Sequence, residues 1–251
     1  MPSSIPARTT PSDLLHLGTV CSQCNLRELC LPVELSEIEI TRLDALIETR
    51  RKIKRGQYLY RAGAPFAMIY AVKTGFFKND ALLEDGRYQV TGFQMAGELI
   101  GLDGIGSGIH TCNSIALEDS EVCAVPFTQL EQLTSEIPTL QRHLHRIMSR
   151  EIVRDHGVML LLGTMRAEER LAAFLLNLSQ RFLARGYSPL DFHLRMTREE
   201  IGSYLGLKLE TVSRTFSHFQ ELGIISVQHK HVTITDVGRI RAMLTRQAGH
   251  P

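Results

Sequence analysis

Three of the five cysteines fall within ten residues and form a C-x2-C-x5-C run of Cys21, Cys24 and Cys30. A two-residue gap lets two thiolates face one metal centre, and the longer gap brings a third sulfur back from a short loop. Thiolates select zinc, Cu(I) or iron–sulfur clusters. Because a tetrahedral zinc site or a cubane cluster usually takes four ligands, the fourth must come from Cys112 or Cys123.

Cysteines have two other common uses in proteins. A thiol redox pair is expected in βαβ alternation, which the sequence lacks. Free cysteines are also ordinary core residues, which suits Cys112 or Cys123 in their strand-like stretches. The flanks of the N-terminal cysteines are polar and typical of turns, so we predict that these three bind a metal or a cluster.

The second constellation lies near the C-terminus. Thr197 and Glu200 have the spacing of a helix capping box. A turn at 206–208 and a second helix over 209–222 follow, and residues 223–235 read as two short strands with a basic turn. This order predicts a winged helix-turn-helix, whose second helix can enter the major groove.

Side chains on the outer face of this second helix suit base recognition. Arg214 can donate two hydrogen bonds to guanine, and Glu210 can accept one from cytosine. Ser213 can reach a base edge or a phosphate, whereas Lys208 and Lys230 are better placed for phosphates. The alternative is a helix-turn-helix used only for packing, and the basic charge of this region favours DNA.

Composition and charge support this division of the chain. Hydrophobic residues make up 43% and charged residues 22% of 251 residues, which is typical of a globular protein. Residues 166–251 carry a net charge of +4 and residues 1–165 a net charge of −3. No membrane span or secretory signal is visible, so we expect a soluble, cytoplasmic protein without a membrane partner.

The elements that must position these residues change character along the chain. Residues 1–34 read as a cysteine-rich arm and loop, and residues 35–49 begin the next region as a short helix. Glycines recur every 7 to 12 residues between short strands over 53–127, a pattern of antiparallel barrels or jelly rolls. We predict an α+β fold composed of four parts: 1–34, the β-barrel sensory domain 35–136, a dimerisation helix 137–165 and a winged helix-turn-helix domain 166–251.

The long helix from Pro138 to about Met165 is apolar on two faces and therefore needs two partners. One partner is the barrel, and we expect the other to be a second copy of the chain rather than a neighbour within a monomer. The second face has an acidic interruption, Asp155. Its predicted interface residues are Met148, Ile152, Asp155 and Met159.

These features together resemble the cyclic-AMP receptor superfamily of transcription factors, and more narrowly its branch of fumarate-and-nitrate-reduction regulators (FNR). The resemblance runs from about Cys21 to Thr235 and rests on several segments. The segments are 91–93, 97–101, 122–127, 159–162, 167–174 and 205–214. It implies an oxygen-labile [4Fe–4S] cluster on four cysteines, a homodimer when the cluster is intact, and binding to a TTGAT…ATCAA palindrome that activates or represses anaerobic-metabolism genes.

The resemblance also implies residue roles. Cys21, Cys24 and Cys30 match the N-terminal ligands, and the Val-Cys-x-x-Pro-Phe segment makes Cys123 the fourth ligand. Cys112 has no family counterpart. The matches to the base-reading residues are Glu210, Ser213 and Arg214, and the matches to a loop that contacts RNA polymerase are Asp85, Gly86 and Arg87.

Asp155 falls where the family keeps an acidic residue in the dimer seam, and its repulsion would make pairing depend on the cluster. The Arg-Ser pair that holds a cyclic phosphate in related proteins is missing after Gly97, so no cyclic nucleotide is expected. A zinc- or thiol-switched regulator is the alternative. No nucleotide loop or nucleophile elbow is present, so an enzyme is not expected.

Overall fold

The computed structural model describes residues 21, 24, 26–32, 34–47, 49–84 and 86–245. Its N-terminal half is a sandwich of two four-stranded sheets, with strand orders β1-β8-β3-β6 and β2-β7-β4-β5. The strands are β1 (Thr49–Ile53), β2 (Tyr58–Tyr60), β3 (Met68–Thr74), β4 (Phe76–Leu82), β5 (Tyr88–Met95), β6 (Leu99–Ile100), β7 (Asn113–Ala116) and β8 (Ser120–Pro126). All pairings are antiparallel, as the spacing of glycines predicts.

Strand β8 shows how alternation distributes its side chains. Ser120, Val122, Ala124 and Pro126 are buried, and the residues between them are half-buried. Val122 and Ala124 belong to the core between the sheets. Because successive side chains of a strand point to opposite faces, Cys123 lies on the other face of this sheet, outside that core.

Helices cover that outer face. They are α1 (Arg27–Cys30), α2 (Glu37–Leu46), α3 (Phe127–Glu136) and α4 (Pro138–Thr164). Ser36 and Glu39 form a capping box at the start of α2. The sequence predicts a helix that continues to Thr49, but α2 ends three residues earlier because Thr49 pairs with Ala124 as the first residue of β1. Side chains from α2, α3 and α4 form a core with Ile69 of β3.

The C-terminal part is a helix-turn-helix followed by a wing. Its elements are α5 (Ala167–Leu183), β9 (Asp191–His193), α6 (Arg198–Leu205), α7 (Leu209–Glu221), β10 (Ile225–Gln228), β11 (His231–Ile234) and α8 (Val237–Thr245). The wing sheet has the order β10-β11-β9. Sequence patterns predict α6, α7 and the two wing strands. They miss β9 and α8.

The two halves of the chain share one hydrophobic core. Phe93 of the sandwich lies 6.2 Å from Phe174 of α5 and 5.3 Å from Tyr204 of α6, between ring centroids. The Val90 backbone N–H also donates to Ser203 Oγ at 2.8 Å. In the part of the chain that the structure describes, no helix has the length and apolar character needed to cross a membrane.

Candidate metal centre and nucleic-acid interface

Four cysteines line one apolar cavity of about 100 Å³ between the outer face of the sandwich and the helices. Cys30 ends α1, and Cys123 comes from β8. The Cys21 backbone N–H donates to Asp44 Oδ1 of α2 at 2.7 Å, which fixes the start of the loop. The structure thus brings the three N-terminal cysteines and Cys123 to the same cavity, although Cys123 is more than 90 residues away in the sequence.

The thiols in this cavity are close enough to influence one another. Burial raises the pKa of Cys30 to about 12, and Cys24 and Cys123 add to this effect. Burial and the Asp44 carboxylate raise the pKa of Cys21 well above its ordinary value. All five cysteines are free thiols. Within the described ranges, no three His, Cys, Asp or Glu side chains converge closely enough to hold a single metal ion.

The long helix closes the cavity on one side. Leu140, Leu144 and Ile147 of α4 are part of its lining. His143 is buried, and its Nε2 lies 3.1 Å from the Cys30 carbonyl oxygen, which can only accept. Burial lowers the pKa of His143, so the neutral ring with a proton on Nε2 fits this contact. The cysteine loop is therefore tied directly to α4.

Cys112 lies elsewhere, in the core between the two sheets, where it is 7% exposed. Its Sγ lies 3.5 Å from Asp103 Oδ2, and Asp103 also accepts a hydrogen bond from Tyr60 at 3.1 Å. Burial and the Asp103 carboxylate raise the pKa of Cys112 to about 12. This residue packs between the two sheets of the sandwich and does not line the cavity of the other four cysteines.

In the C-terminal part of the chain, α6 and α7 meet at the predicted turn, which begins at Gly206. Thr197 and Glu200 make both hydrogen bonds of the capping box, and Gly206 ends α6 with a φ of 63°. The inner face of α7 is buried through Val212 and Phe216. Its exposed face contains Glu210, Ser213 and Arg214.

The two predicted phosphate contacts flank this face. Lys208 is the exposed N-cap residue of α7. Lys230 lies in the turn of the wing, and its Nζ donates to the Arg195 carbonyl oxygen at 3.3 Å.

Sequence reasoning missed Arg198, the first residue of α6. Its guanidinium carbon lies 3.1 Å from the centroid of the Phe216 ring, and its Nη1 has no hydrogen-bond partner in the structure. Burial lowers the pKa of Arg198 to about 10, which still leaves it charged at neutral pH. Only its position beside the capping box could have suggested it.

The second face of α4 is uncovered along most of its length. Ile152 is 54% and Met159 is 67% exposed, Asp155 lies between them in sequence and is exposed, and Met148 is half-buried. Their spacing of three and four residues places them on one side of the helix. This is the arrangement of a helix–helix seam.

The hairpin between β4 and β5 is present, and its turn closes with the Leu83 N–H donating to the Arg87 carbonyl at 2.7 Å. Gly86 has a φ of 83°, which a glycine adopts without strain. Asp85, the remaining predicted contact to RNA polymerase, lies outside the described residues.

A second cavity of about 410 Å³ lies between the sandwich and α4. Its lining includes Asp103, Glu151 and Asp155 as acidic groups and Arg154 as a basic group. Arg154 forms an ion pair with Glu151 on the same helix.

Comparisons with known proteins agree with this architecture. A model of the Crp-like helix-turn-helix domain matches residues 169–243, and a model of the cyclic nucleotide-binding domain matches residues 50–136. The fumarate and nitrate reduction regulatory protein of Escherichia coli is 44% identical over 230 residues, which cover 92% of this chain and 90% of that protein. The chain belongs to the CRP/FNR family, in its FNR-type branch.

Other members of the family extend the match. The transcriptional regulatory protein btr of Bordetella pertussis is 43% identical, over 91% of this chain and 94% of its own length. The solved structure of FixK2 from Bradyrhizobium japonicum is similar, with a TM-score of 0.71 and 31% sequence identity. The match covers 78% of this chain and 96% of the FixK2 chain. This CRP/FNR protein is therefore a DNA-binding transcription regulator and not an enzyme.

Proposed function

We propose that this CRP/FNR protein is an oxygen-responsive regulator whose cysteines Cys21, Cys24, Cys30 and Cys123 hold a [4Fe–4S] cluster. The observation that carries the proposal is the shared cavity of these four thiols. When bound, such a cluster would supply a group that oxygen destroys. The family relationship to fumarate and nitrate reduction regulators supports the same assignment.

The donor set suits a cluster, because four Cys thiolates are the usual ligands of a [4Fe–4S] centre and these four line one cavity. The lining is apolar, which limits the access of water to the sulfurs. The chain's own contribution would be to hold the loop against α2 through Asp44 and against α4 through the Cys30 carbonyl oxygen.

The exposed seam of α4 supports a homodimer. Two copies that pack through Met148, Ile152 and Met159 would bury apolar area that one copy leaves in water. Such packing would bring the two Asp155 carboxylates together, and their repulsion opposes pairing. An ordered cysteine loop bound to α4 would offset that repulsion, and a loosened loop would not.

The dimer would present two α7 helices to the two half-sites of a palindrome of the TTGAT…ATCAA type, about one duplex turn apart. Glu210, Ser213 and Arg214 would read base edges, while Lys208 and Lys230 would contact phosphates. The turn at 85–87 would contact RNA polymerase.

The second cavity does not favour a cyclic nucleotide. A cyclic phosphate needs a free cation, whereas Arg154 is already paired with Glu151, and Asp103 and Asp155 add negative charge. We therefore expect no heat on titration of the protein with cyclic AMP. A dissociation constant in the micromolar range would contradict this part of the proposal.

The proposal is tested with anaerobically purified protein. We expect iron and sulfide in the protein, and a mobility shift of operator DNA that disappears after exposure to air. Colourless protein with stoichiometric zinc would instead favour the zinc-switched alternative. DNA binding that is indifferent to oxygen would contradict oxygen sensing.

The dimer is tested separately with Asp155→Ala. Removing the repulsion should yield dimers without the cluster, as measured by sedimentation velocity of air-exposed protein. Glu131→Ala in α3, which lies outside the exposed seam of α4, is the control and should sediment like the wild type. An unchanged sedimentation coefficient for Asp155→Ala would count against the repulsion.

A further inference from the structure

One half-buried carboxylate joins the sandwich to the DNA-binding part of the chain. Glu98, in the turn between β5 and β6, accepts a hydrogen bond from Arg181 Nη2 at 2.6 Å and another from Arg185 Nη2 at 2.6 Å. The side chain of Glu98 is 18% exposed and that of Arg185 only 5%. Removing one partner from such a buried pair leaves a charge without compensation, which is strongly unfavourable.

The same arginines also bind the sandwich backbone. Arg181 Nη2 donates to the Phe93 carbonyl oxygen at 2.7 Å, and Arg185 Nε donates to the Ala96 carbonyl oxygen at 2.5 Å. Arg181 lies in the last turn of α5, and Arg185 follows its end. The position of α5, the first helix of the DNA-binding part, is therefore set from the turn that contains Glu98.

This turn is in direct contact with the cysteine loop. Gly97 has a φ of 85°, and a Cβ placed on it would lie only 2.8 Å from the Cβ of Leu29. Leu29 belongs to α1 and directly precedes Cys30. The side chain of Leu29 thus rests on the backbone of Gly97, one residue from Glu98.

We propose that the contact of Leu29 with Gly97, continued by the ion pairs of Glu98 with Arg181 and Arg185, transmits the order of the cysteine loop to α5 within one protomer. This inference rests on the proposed cluster function of the loop. It adds a second route to the one through α4 and the dimer seam. Glu98 is a positioning residue on this route, because it acts through the two arginines.

Hydrogen–deuterium exchange of the anaerobic and the air-exposed protein tests this route. In the wild type, loosening the loop should speed exchange in both α4 and α5. In Glu98→Gln, α5 should already exchange faster before air exposure and gain nothing from it, while α4 still responds and the iron content is unchanged. The ratio of operator affinities before and after air exposure should fall by about fivefold or more, the lower end of typical allosteric coupling.

Glu118→Gln is the matched control. Glu118 pairs with Arg195 at 2.9 Å and also joins the sandwich to the DNA-binding part, but it is not next to the Leu29 contact. This variant should respond to air like the wild type. An α5 response in Glu98→Gln that equals that of the wild type would overturn the proposal.

Two further variants cover the cases in which Glu98→Gln does not fold or the wild type holds no iron. Should Glu98→Gln fail to fold, Leu29→Ala weakens the same route while it leaves the ion pairs intact, and it should reduce the α5 response alone. Wild-type protein without iron would contradict the proposed function. Cys30→Ser then replaces air exposure as the means to loosen the loop, and an unchanged α5 in that variant overturns the coupling itself.

Discussion

The DNA-reading surface and the cysteine cavity are built in opposite ways. The residues of α6, α7 and the wing turn all lie between Arg198 and Lys230, and α6 begins with its own capping box. The cavity instead needs Cys123 of β8 beside a loop more than ninety residues earlier. A local site depends on helix caps and spacing, whereas a long-range site depends on the packing of the whole sandwich.

The largest effect should come from replacing Cys123, and the same replacement at Cys112 should have little effect on iron binding. Cys123→Ser should abolish iron retention, because its side chain lines the shared cavity. Cys112→Ser should retain iron, since Cys112 packs in the core beside Asp103. Iron and sulfide analysis of the two anaerobically purified variants measures this difference. Equal retention in both would refute the assignment of the fourth ligand.

On the local site, we expect graded losses rather than an all-or-none effect. Arg214→Ala should weaken operator binding by about 1–3 kcal/mol, or roughly 5- to 150-fold, and relax the preference at one base pair. Lys230→Ala should weaken binding to all sequences alike and lower the salt dependence. Fluorescence anisotropy with matched and mismatched operators, at two salt concentrations, distinguishes the two. The assignment fails if Arg214→Ala weakens both operators equally.

The same contrast explains how far the sequence could predict the structure. The capping box of Thr197 and Glu200 and the turn at Gly206 are local signals, and all appear in the structure. Strand β9 has three residues, too few for a visible alternation. Helix α8 follows the wing, and the sequence analysis found no signal that marks where it begins.

The choice between Cys112 and Cys123 could not be made from local signals. In β8 both Val122 and Val125 are apolar, so the pattern does not reveal which face of the strand meets the core. Only the pairing of β8 with β1 and β3, together with the helices outside, places Cys123 on the outer face. The contacts of Glu98 with Arg181 and Arg185 cross the two halves of the chain and were likewise invisible in the sequence.

Two glycines with positive φ allow the same substitution to be compared beside the cysteine loop, at Gly97, and in the helix-turn-helix, at Gly206. Alanine at either Gly97 or Gly206 should cost about 1–2 kcal/mol of unfolding free energy from backbone strain. Gly97→Ala should additionally lose iron, because the new methyl group would displace Leu29. Gly206→Ala should keep its iron, since its nearest neighbours there are the side-chain ends of Leu162 and Arg170.

Urea unfolding and iron analysis of both variants provide the measurement. We expect the Gly→Ala substitution beside the cysteine loop to cause loss of iron and the one in the helix-turn-helix to leave the iron content unchanged. Full iron retention in Gly97→Ala would show that pushing Leu29 away from this turn does not displace Cys30.

The smallest expected effect is a pH dependence at the junction of the two regions. Glu200 of α6 pairs with Lys78 of β4 at 2.9 Å, and both side chains are nearly buried. Burial alone would raise the pKa of Glu200, but the Thr197 backbone N–H and the Lys78 ammonium outweigh it and lower the pKa. The stability from this pair is thus complete above the unfolded pKa of about 4.3 and is lost as the pH falls through the lower folded value.

Glu200→Gln should therefore be less stable than the wild type at neutral pH, by about 1 kcal/mol or less. The difference should shrink below about pH 4, because the wild-type carboxyl is then protonated as well. Glu199→Gln, exposed one residue earlier on α6, is the control and should show no such pH-dependent difference. Thermal midpoints at pH values on both sides of the transition measure the effect. A difference that stays constant with pH would mean that Glu200 stabilises the junction through its shape rather than through its charge.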